Sequence, residues 1–314
     1  MKFIRGLHNL KTQRPGCVLT IGNFDGVHLG HQGVLARLRE EGQHRQLPVM
    51  VMLFEPQPLE LFSPDSAPAR LTRLREKIHY LQQAGVDSIL CIRFDQQFSS
   101  LSAESFIREL LIDKIHVKFL AVGDDFRFGT GREGNFLLLE EAGKRYGFDV
   151  VSTQTINHGD ERISSTAIRH SLASDDFSHA EQLLGHPFII SGRVVRGDAL
   201  GRTLGFPTAN IPLRRTVSPV QGVYAVRVAG ISEHPLPGVA NIGTRPTLAG
   251  IRQQLEVHLF DITQDLYGKH IEVILCKKIR SEQRFASLEA LKEQIAKDVV
   301  IARHFFGLKV HHSN

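Results

Sequence analysis

Gly16-Cys17-Val18-Leu19-Thr20-Ile21-Gly22-Asn23-Phe24-Asp25-Gly26-Val27-His28-Leu29-Gly30-His31 is the stretch that decides the fold of the first half of this chain. Its opening is a short apolar and β-branched run, which reads as a buried strand, Cys17 to Ile21. A glycine-containing turn follows, and then a segment of helical period beginning near His31. A strand that feeds a helix through such a turn is the unit of an open α/β sheet, whose ligands bind at the carboxyl ends of the strands. Gly22 and Gly26 let the backbone turn and come close to a ligand, and the helix start offers free N–H groups and a positive dipole to phosphate. Neither G-x-G-x-x-G nor G-x-x-x-x-G-K-[ST] spacing occurs, so neither a dinucleotide fold nor a P-loop is indicated.

His28 and His31 are three residues apart, which puts both imidazoles on one side of a helical turn around Gly30. Two such donors suit the charge that develops on an α-phosphate under in-line attack, each worth about 3 kcal/mol by analogy with oxyanion-hole deletions. Two ordinary surface or capping histidines fit the bare spacing as well.

The same strand-and-helix alternation continues to about residue 184. Val49 to Phe54, Ser88 to Ile92, Phe119 to Val122 and Val150 to Ser152 read as strands. His31 to Glu41, Arg73 to Ala84, Ala103 to Asp113 and Glu133 to Tyr146 read as helices. Pro56, Pro58, Pro64 and Pro68 predict a loop that does not propagate a helix. After Leu184-Gly185-His186-Pro187 the texture becomes short alternating runs with Gly and Pro, the pattern of antiparallel sheets or barrels. Phe188 to Val195, Val223 to Val228, Leu255 to Phe260 and Ile271 to Cys276 are its strands, and Ser287 to Phe305 is an amphipathic closing helix. The expectation is two domains, residues 1–185 and 186–314, as 314 residues allow.

Charge and cysteine usage narrow the class. Lys and Arg exceed Asp and Glu by 38 to 33 with no basic block, which suits anionic small molecules and predicts no nucleic-acid partner. No apolar run approaches the roughly 18 residues of a membrane span, and no signal-peptide pattern follows Met1. Cys17, Cys91 and Cys276 are odd in number and lack C-x-x-C spacing, so a reducing cytoplasmic location is expected.

Three further segments carry polar groups at sites of the right kind. Asp125, within Gly123-Asp124-Asp125-Phe126-Arg127-Phe128-Gly129, follows a strand and suits a base or sugar, although taken alone the segment is better explained as a polar turn with Phe126 and Phe128 in the core. Arg162-Ile163-Ser164-Ser165-Thr166-Ala167-Ile168-Arg169 offers hydroxyls, helix N–H groups and Arg169 to departing phosphates, or is simply a helix cap. In Gly201-Arg202-Thr203-Leu204-Gly205-Phe206-Pro207-Thr208-Ala209-Asn210, Thr208 and Asn210 share one face of an extended segment, and their oxygens suit Mg²⁺ with a polyphosphate. Glu256 and His258 alternate with Leu255, Val257 and Leu259. The outer face of a sheet explains this pattern, and so does a general base presented to an alcohol.

These motifs together resemble bacterial bifunctional riboflavin kinase/FMN adenylyltransferases, over essentially the whole chain. The resemblance implies a Rossmann-like nucleotidyltransferase domain with a parallel sheet, then a small antiparallel β-barrel riboflavin kinase domain with a closing helix. In the first, His28, His31 and Arg169 would be catalytic. Gly22, Asn23, Phe24, Asp25, Asp125, Arg162, Ser165 and Thr166 would complete the ATP site, and Phe54, Pro56, Phe126 and Phe128 would face flavin. In the second, Glu256 would be the base, Gly201, Gly205, Pro207, Thr208 and Asn210 would contact ATP, and Thr208 and Asn210 would bind Mg²⁺. Asn241-Ile242-Gly243-Thr244-Arg245-Pro246-Thr247 matches a further signature of that module. Implied substrates and products are riboflavin, ATP, FMN and FAD. The chain departs from the common pattern at Gln57 and Arg196, where histidine is frequent, and neither position is assigned a role. The H-x-G-H spacing is shared with nucleotidyltransferases of other acceptors and with class I aminoacyl-tRNA synthetases, but no K-M-S-K-S-like loop is present.

Overall fold

The computed structural model describes residues 1–10, 15–153, 157–158, 161–197, 200–213, 217–247, 250–262 and 264–309. They form two compact units, Met1–Pro68 with Thr72–Ser164, and Ala69–Leu71 with Ser165–Asn314. The helices Ser165–Ala173 and Phe177–Leu184 therefore lie in the second unit.

The first unit is built on β1 (Lys2–Arg5), β2 (Cys17–Ile21), β3 (Val49–Glu55), β4 (Ser88–Arg93), β5 (Val117–Val122) and β6 (Asp149–Ser152). They pair in parallel in the order β1-β4-β3-β2-β5-β6. Both faces are covered. Leu19, Met52, Leu90 and Leu120 pack into one apolar cluster, and their neighbours Val18, Val51, Ile89 and Phe119 into another. Burial on both faces explains why these strands read as continuous apolar runs rather than alternating ones. The strand order reverses between β2 and β5, so the loops after these two strands flank the crevice where open α/β sheets bind ligands. Both loops were singled out in the sequence.

Three local departures have physical causes. β1 is an edge strand that buries only Ile4, too little apolar signal to be read. The segment expected to be an α-helix from Ala103 makes one α turn and then winds as a π-helix over Phe106–Lys114. The proline loop contains a short helix, Pro58–Phe62, because Pro58 stands at its start, where no N–H bond is lost. A two-stranded ribbon of β7 (Asn157–His158) and β8 (Glu161–Arg162) completes the unit.

The second unit is an antiparallel sheet of β9 (Ile189–Arg193), β10 (Ala209–Pro212), β11 (Gly222–Ala229), β12 (Leu236–Thr247), β13 (Gly250–Leu259) and β14 (His270–Arg280), in the order β10-β13-β12-β11-β14-β9. Its edges approach each other in an isolated bridge between Val195 and Asn210, where the Val195 N–H donates to the Asn210 carbonyl at 2.9 Å, so the sheet is a nearly closed barrel. β12 was not read from the sequence because Pro237, Gly238, Gly243 and Pro246 interrupt its alternation. The helix Leu288–Phe305 is capped by Ser287, whose hydroxyl accepts from the Ala290 N–H. Its Ala302 packs on Val223, Ala225, Val239 and Phe260.

Candidate functional site

In the first unit the chain leaves β2 through a tightly wound turn. Phe24, Gly26 and Val27 all adopt left-handed backbone, with φ of 48°, 89° and 43°. A β-branched residue there is a strained outlier, of the kind that surrounding structure must hold in place. The hold is visible: buried Asp25 accepts from the Thr72 N–H at 3.0 Å and from its hydroxyl at 3.3 Å, and that hydroxyl accepts from the Gly26 N–H at 2.9 Å. Asp25 thus braces the turn instead of lining an open surface. Phe24 is likewise buried, with its ring 4.7 Å from that of His31. Gly22 and Asn23 are half-buried at the strand exit.

The turn ends by placing His28 at the N-cap of the helix Leu29–Arg45. Its Nδ1 accepts from the His31 N–H at 3.3 Å, which assigns the ring proton to Nε2. The two imidazoles stack with centroids 3.6 Å apart. Gly30 makes room for this, since a Cβ there would lie 3.1 Å from His28 ring atoms. His31 is held well below its ordinary pKa by burial first, then by His28 and Lys77, so it is neutral near pH 7. Its Nδ1 is buried without a protein partner among the described residues.

Across the crevice, Asp125 is exposed on the turn after β5 and folds back over Gly123, where a Cβ would lie 2.6 Å from its carboxylate. Of the four positions expected to face flavin, Phe54 and Phe128 lie in the interior. Both are buried in the apolar core, Phe54 against Phe94 and Phe98, and Phe128 against Phe106 at 4.8 Å. Phe54 stands near the end of a strand that is buried on both faces, and Phe128 belongs to the same apolar cluster. Phe126 is half-buried and Pro56 exposed. Gln57, set aside in the sequence, is 6% exposed, and among the described residues its side-chain NH₂ has no partner. Arg162 is exposed on β8. Ser165, Thr166 and Arg169 belong to the second unit, in the first turns of Ser165–Ala173, where the Arg169 Nε donates to the Ala69 carbonyl at 2.7 Å.

In the second unit, pairing does what sequence spacing does not show. Glu256 on β13 stands opposite Asn210 of β10 on one side and Asn241 of β12 on the other. All three line a cavity of about 370 Å³ with Thr208 and His258. Leu255, Val257 and Leu259 point to the buried face, as alternation predicts. The Glu256 face is not a plain outer surface, because Leu291, Ile295 and Asp298 of the closing helix wall the same cavity. The Asn210 carboxamide oxygen accepts from the Gln254 NH₂ at 2.6 Å. The His258 Nδ1–H donates to the Pro207 carbonyl at 2.9 Å, and burial lowers its pKa. Glycines shape the preceding loop: Gly205 has φ of 89°, and a Cβ on Gly201 would strike the Phe206 carbonyl.

A second cavity of about 600 Å³ adjoins the first, and Thr208 lines both. Arg196 and Arg202 border it, the Arg196 guanidinium lying 5.6 Å from the centre of the Tyr267 ring. Arg196, given no role from sequence, is thereby found beside the hydroxyl expected to meet nucleotide.

Residues 10–167 match the family described as FAD synthetase and residues 184–306 the family described as riboflavin kinase. The chain is 69% identical over 309 residues to the bifunctional riboflavin kinase/FMN adenylyltransferase of Escherichia coli (strain K12), covering 98% of this chain and 99% of that protein. It is 54% identical over 307 residues to the protein of that name from Haemophilus influenzae, covering 98% and 100%. Among solved structures, one titled as a macrolide-efflux protein from Streptococcus pneumoniae aligns with a TM-score of 0.77 at 29% identity, covering 96% of this chain and 99% of that one. In the described residues no helix is long and apolar enough to cross a membrane.

Proposed function

Because this chain belongs to the family of bifunctional riboflavin kinase/FMN adenylyltransferases, we propose that the two cavities of the barrel and the crevice of the parallel sheet are its two active sites. The chain phosphorylates riboflavin with ATP to give FMN through its C-terminal part, and adenylylates FMN with a second ATP to give FAD through its N-terminal part. The small molecules it handles are therefore riboflavin, FMN, FAD and ATP.

In the kinase part, the observation that carries the reading is that Thr208 lines both cavities while Glu256 lines one. Riboflavin occupies the cavity with Glu256, and ATP the cavity bordered by Arg196 and Arg202. Glu256 accepts the proton of the terminal ribityl hydroxyl as its oxygen bonds to the γ-phosphorus and the bond to ADP breaks. Asn210 and Asn241, level with Glu256 on the flanking strands, orient the alcohol. Among the described residues no cluster of three His, Cys, Asp or Glu side chains forms a metal cage. The Thr208 hydroxyl, Asn210 carbonyl and Glu256 carboxylate are hard oxygen donors of the type that holds Mg²⁺ together with a substrate's phosphates. They fit that ion, with Thr208 and Asn210 as its protein contacts. When bound, it would neutralise charge on the transferring phosphoryl group.

In the adenylyltransferase part, an FMN phosphate oxygen bonds to the α-phosphorus of ATP and the bond to pyrophosphate breaks. The attacking phosphate is already ionised, so this step needs a stabiliser of charge more than a base. His28, with its proton on Nε2, donates to the α-phosphate, and neutral His31 supports it from the stack. Gly22 and Asn23 sit at the nucleotide, with Phe24 and Asp25 holding the turn beneath. Asp125 and Arg162 place the ATP. Gln57, Pro56 and Phe126 face the flavin. Ser165, Thr166 and Arg169 are assigned to the departing pyrophosphate on their helix-start chemistry. A cytoplasmic location accords with an odd number of cysteines that lack C-x-x-C spacing.

Separation of the flavins formed from riboflavin, Mg²⁺ and ATP tests the division of labour. His28→Ala is expected to cut FAD formation by about two to three decades and leave FMN formation intact. Glu256→Gln is expected to stop phosphorylation of riboflavin while supplied FMN is still adenylylated. Equal loss of both activities in either variant overturns the assignment.

A further inference from the structure

Asp298 is 2% exposed, yet it lines the cavity that holds Glu256. Its two oxygens accept from the Arg280 Nε at 2.9 and 3.0 Å, and Oδ2 accepts from Nη2 at 2.8 Å. The Gln294 NH₂, one turn earlier on the same helix, donates to Oδ1 at 2.9 Å. The remaining nitrogen of Arg280, Nη1, donates to the Ser281 carbonyl at 3.0 Å. Each guanidinium nitrogen is thus engaged, and the plane has one orientation. Arg280 ends β14, and its Cζ lies 5.6 Å from the centre of the Phe285 ring, which lines the same cavity.

Stability alone explains this arrangement poorly, since a buried ion pair does no better on average than well-packed apolar residues of the same size. What a forked Arg–carboxylate contact supplies is fixed geometry. The lining of the cavity combines polar Thr208, Asn210 and Glu256 with apolar Phe285, Leu291 and Ile295. A molecule with a flat conjugated ring and a hydroxylated tail matches that polarity when its ring lies by Phe285 and its tail reaches Glu256. The ring's resting surface is then the Phe285 side chain with the Arg280 guanidinium above it.

We propose that Asp298 is a positioning residue for riboflavin phosphorylation, acting through Arg280 to set the wall against which the substrate's ring rests. This builds on the assignment of riboflavin to the Glu256 cavity. Asp298 itself touches no reacting atom, and its oxygens are turned to Arg280 and Gln294.

The test uses the full chain and four variants, Asp298→Asn, Arg280→Met, the pair Arg280→Met with Asp298→Leu, and the pair Arg280→Met with Asp298→Asn. Asp298→Asn is expected to raise the KM for riboflavin about tenfold, with the KM for ATP and the adenylylation of supplied FMN changed by less than about twofold. The apolar pair is expected to restore the melting temperature while keeping the raised riboflavin KM, which a merely structural pair would not do. In the Arg280→Met background, adding Asp298→Asn is expected to change the riboflavin KM no further. Should Asp298→Asn fail to fold, the apolar pair decides. A wild-type riboflavin KM in Asp298→Asn or in the apolar pair overturns the proposal. A wild-type chain that does not phosphorylate riboflavin at all overturns the cavity assignment beneath it, a result the wild-type assay reads separately.

Discussion

The imidazoles of His28 and His31 stack with centroids 3.6 Å apart and planes inclined by 21°, while the backbone N–H of one donates to the ring nitrogen of the other. Burial, reinforced by the neighbouring His28 and Lys77, holds the His31 ring below its ordinary pKa, so it is neutral near pH 7. With its Nδ1 occupied by the His31 N–H, His28 has its ring proton on Nε2, the atom proposed above to meet the α-phosphate.

Acid lability follows from the direction of the His31 shift. Its folded pKa lies below the ordinary 6.5, so the unfolded chain binds more protons as the pH falls through that value. The His31 contribution to stability is thus fully present above about pH 6.5 and is lost as pH drops towards the folded pKa. His258, half-buried and with its pKa also lowered, adds in the same sense. Melting temperatures between about pH 7.5 and 5.5 should fall more steeply for the wild type than for His31→Asn, and parallel slopes would contradict this.

Gly30→Ala would put a methyl group against His28 Nδ1 and Cε1, each 3.1 Å from the added carbon. The ring must shift by a few tenths of an ångström, away from its cap and its stack. FAD formation from FMN should fall by about one to two decades, with FMN formation unchanged, as separated flavin products would report.

Asn241→Leu removes an amide level with Glu256 on the neighbouring strand without adding charge. The kcat for riboflavin phosphorylation should drop about tenfold while the KM for ATP holds. Asn241→Asp should be worse, since like charges directly opposite across a sheet repel. A steady-state comparison of the two variants checks the order.

Gly238→Ala tests the scaffold. A Cβ at this position would lie 2.5 Å from the His258 carbonyl, a backbone atom that cannot swing aside. Destabilisation of about 1–3 kcal/mol is expected from overpacking, read from the denaturant midpoint, together with loss of kinase activity and survival of adenylylation.

How much of this was readable in advance depends on where the information lies along the chain. β2 was read to its ends, Cys17 and Ile21, because all five residues are buried between two glycines. β12 was not, because prolines and glycines stand where an alternating pattern would have marked it. His28 and His31 were legible as a local motif, but the cap that sets their tautomer depends on where the helix begins. Asn241 was visible only as part of a signature, since its alignment with Glu256 is made by pairing between two strands. Gln57 and Arg196 were passed over because their residue types depart from the common pattern; burial of one and the cavity beside the other give them significance. Phe54 and Phe128 went the opposite way, aromatic in composition yet committed to the interior.

The bridge between Val195 and Asn210 has a practical corollary. The barrel's seam runs through Asn210, which also lines the cavity proposed above for riboflavin. Loosening that seam is expected to open this cavity while the remaining strand ladders stay paired. On gradual warming, phosphorylation of riboflavin should fade before circular dichroism registers melting, and deuterium uptake at the Val195 amide should track the lost turnover.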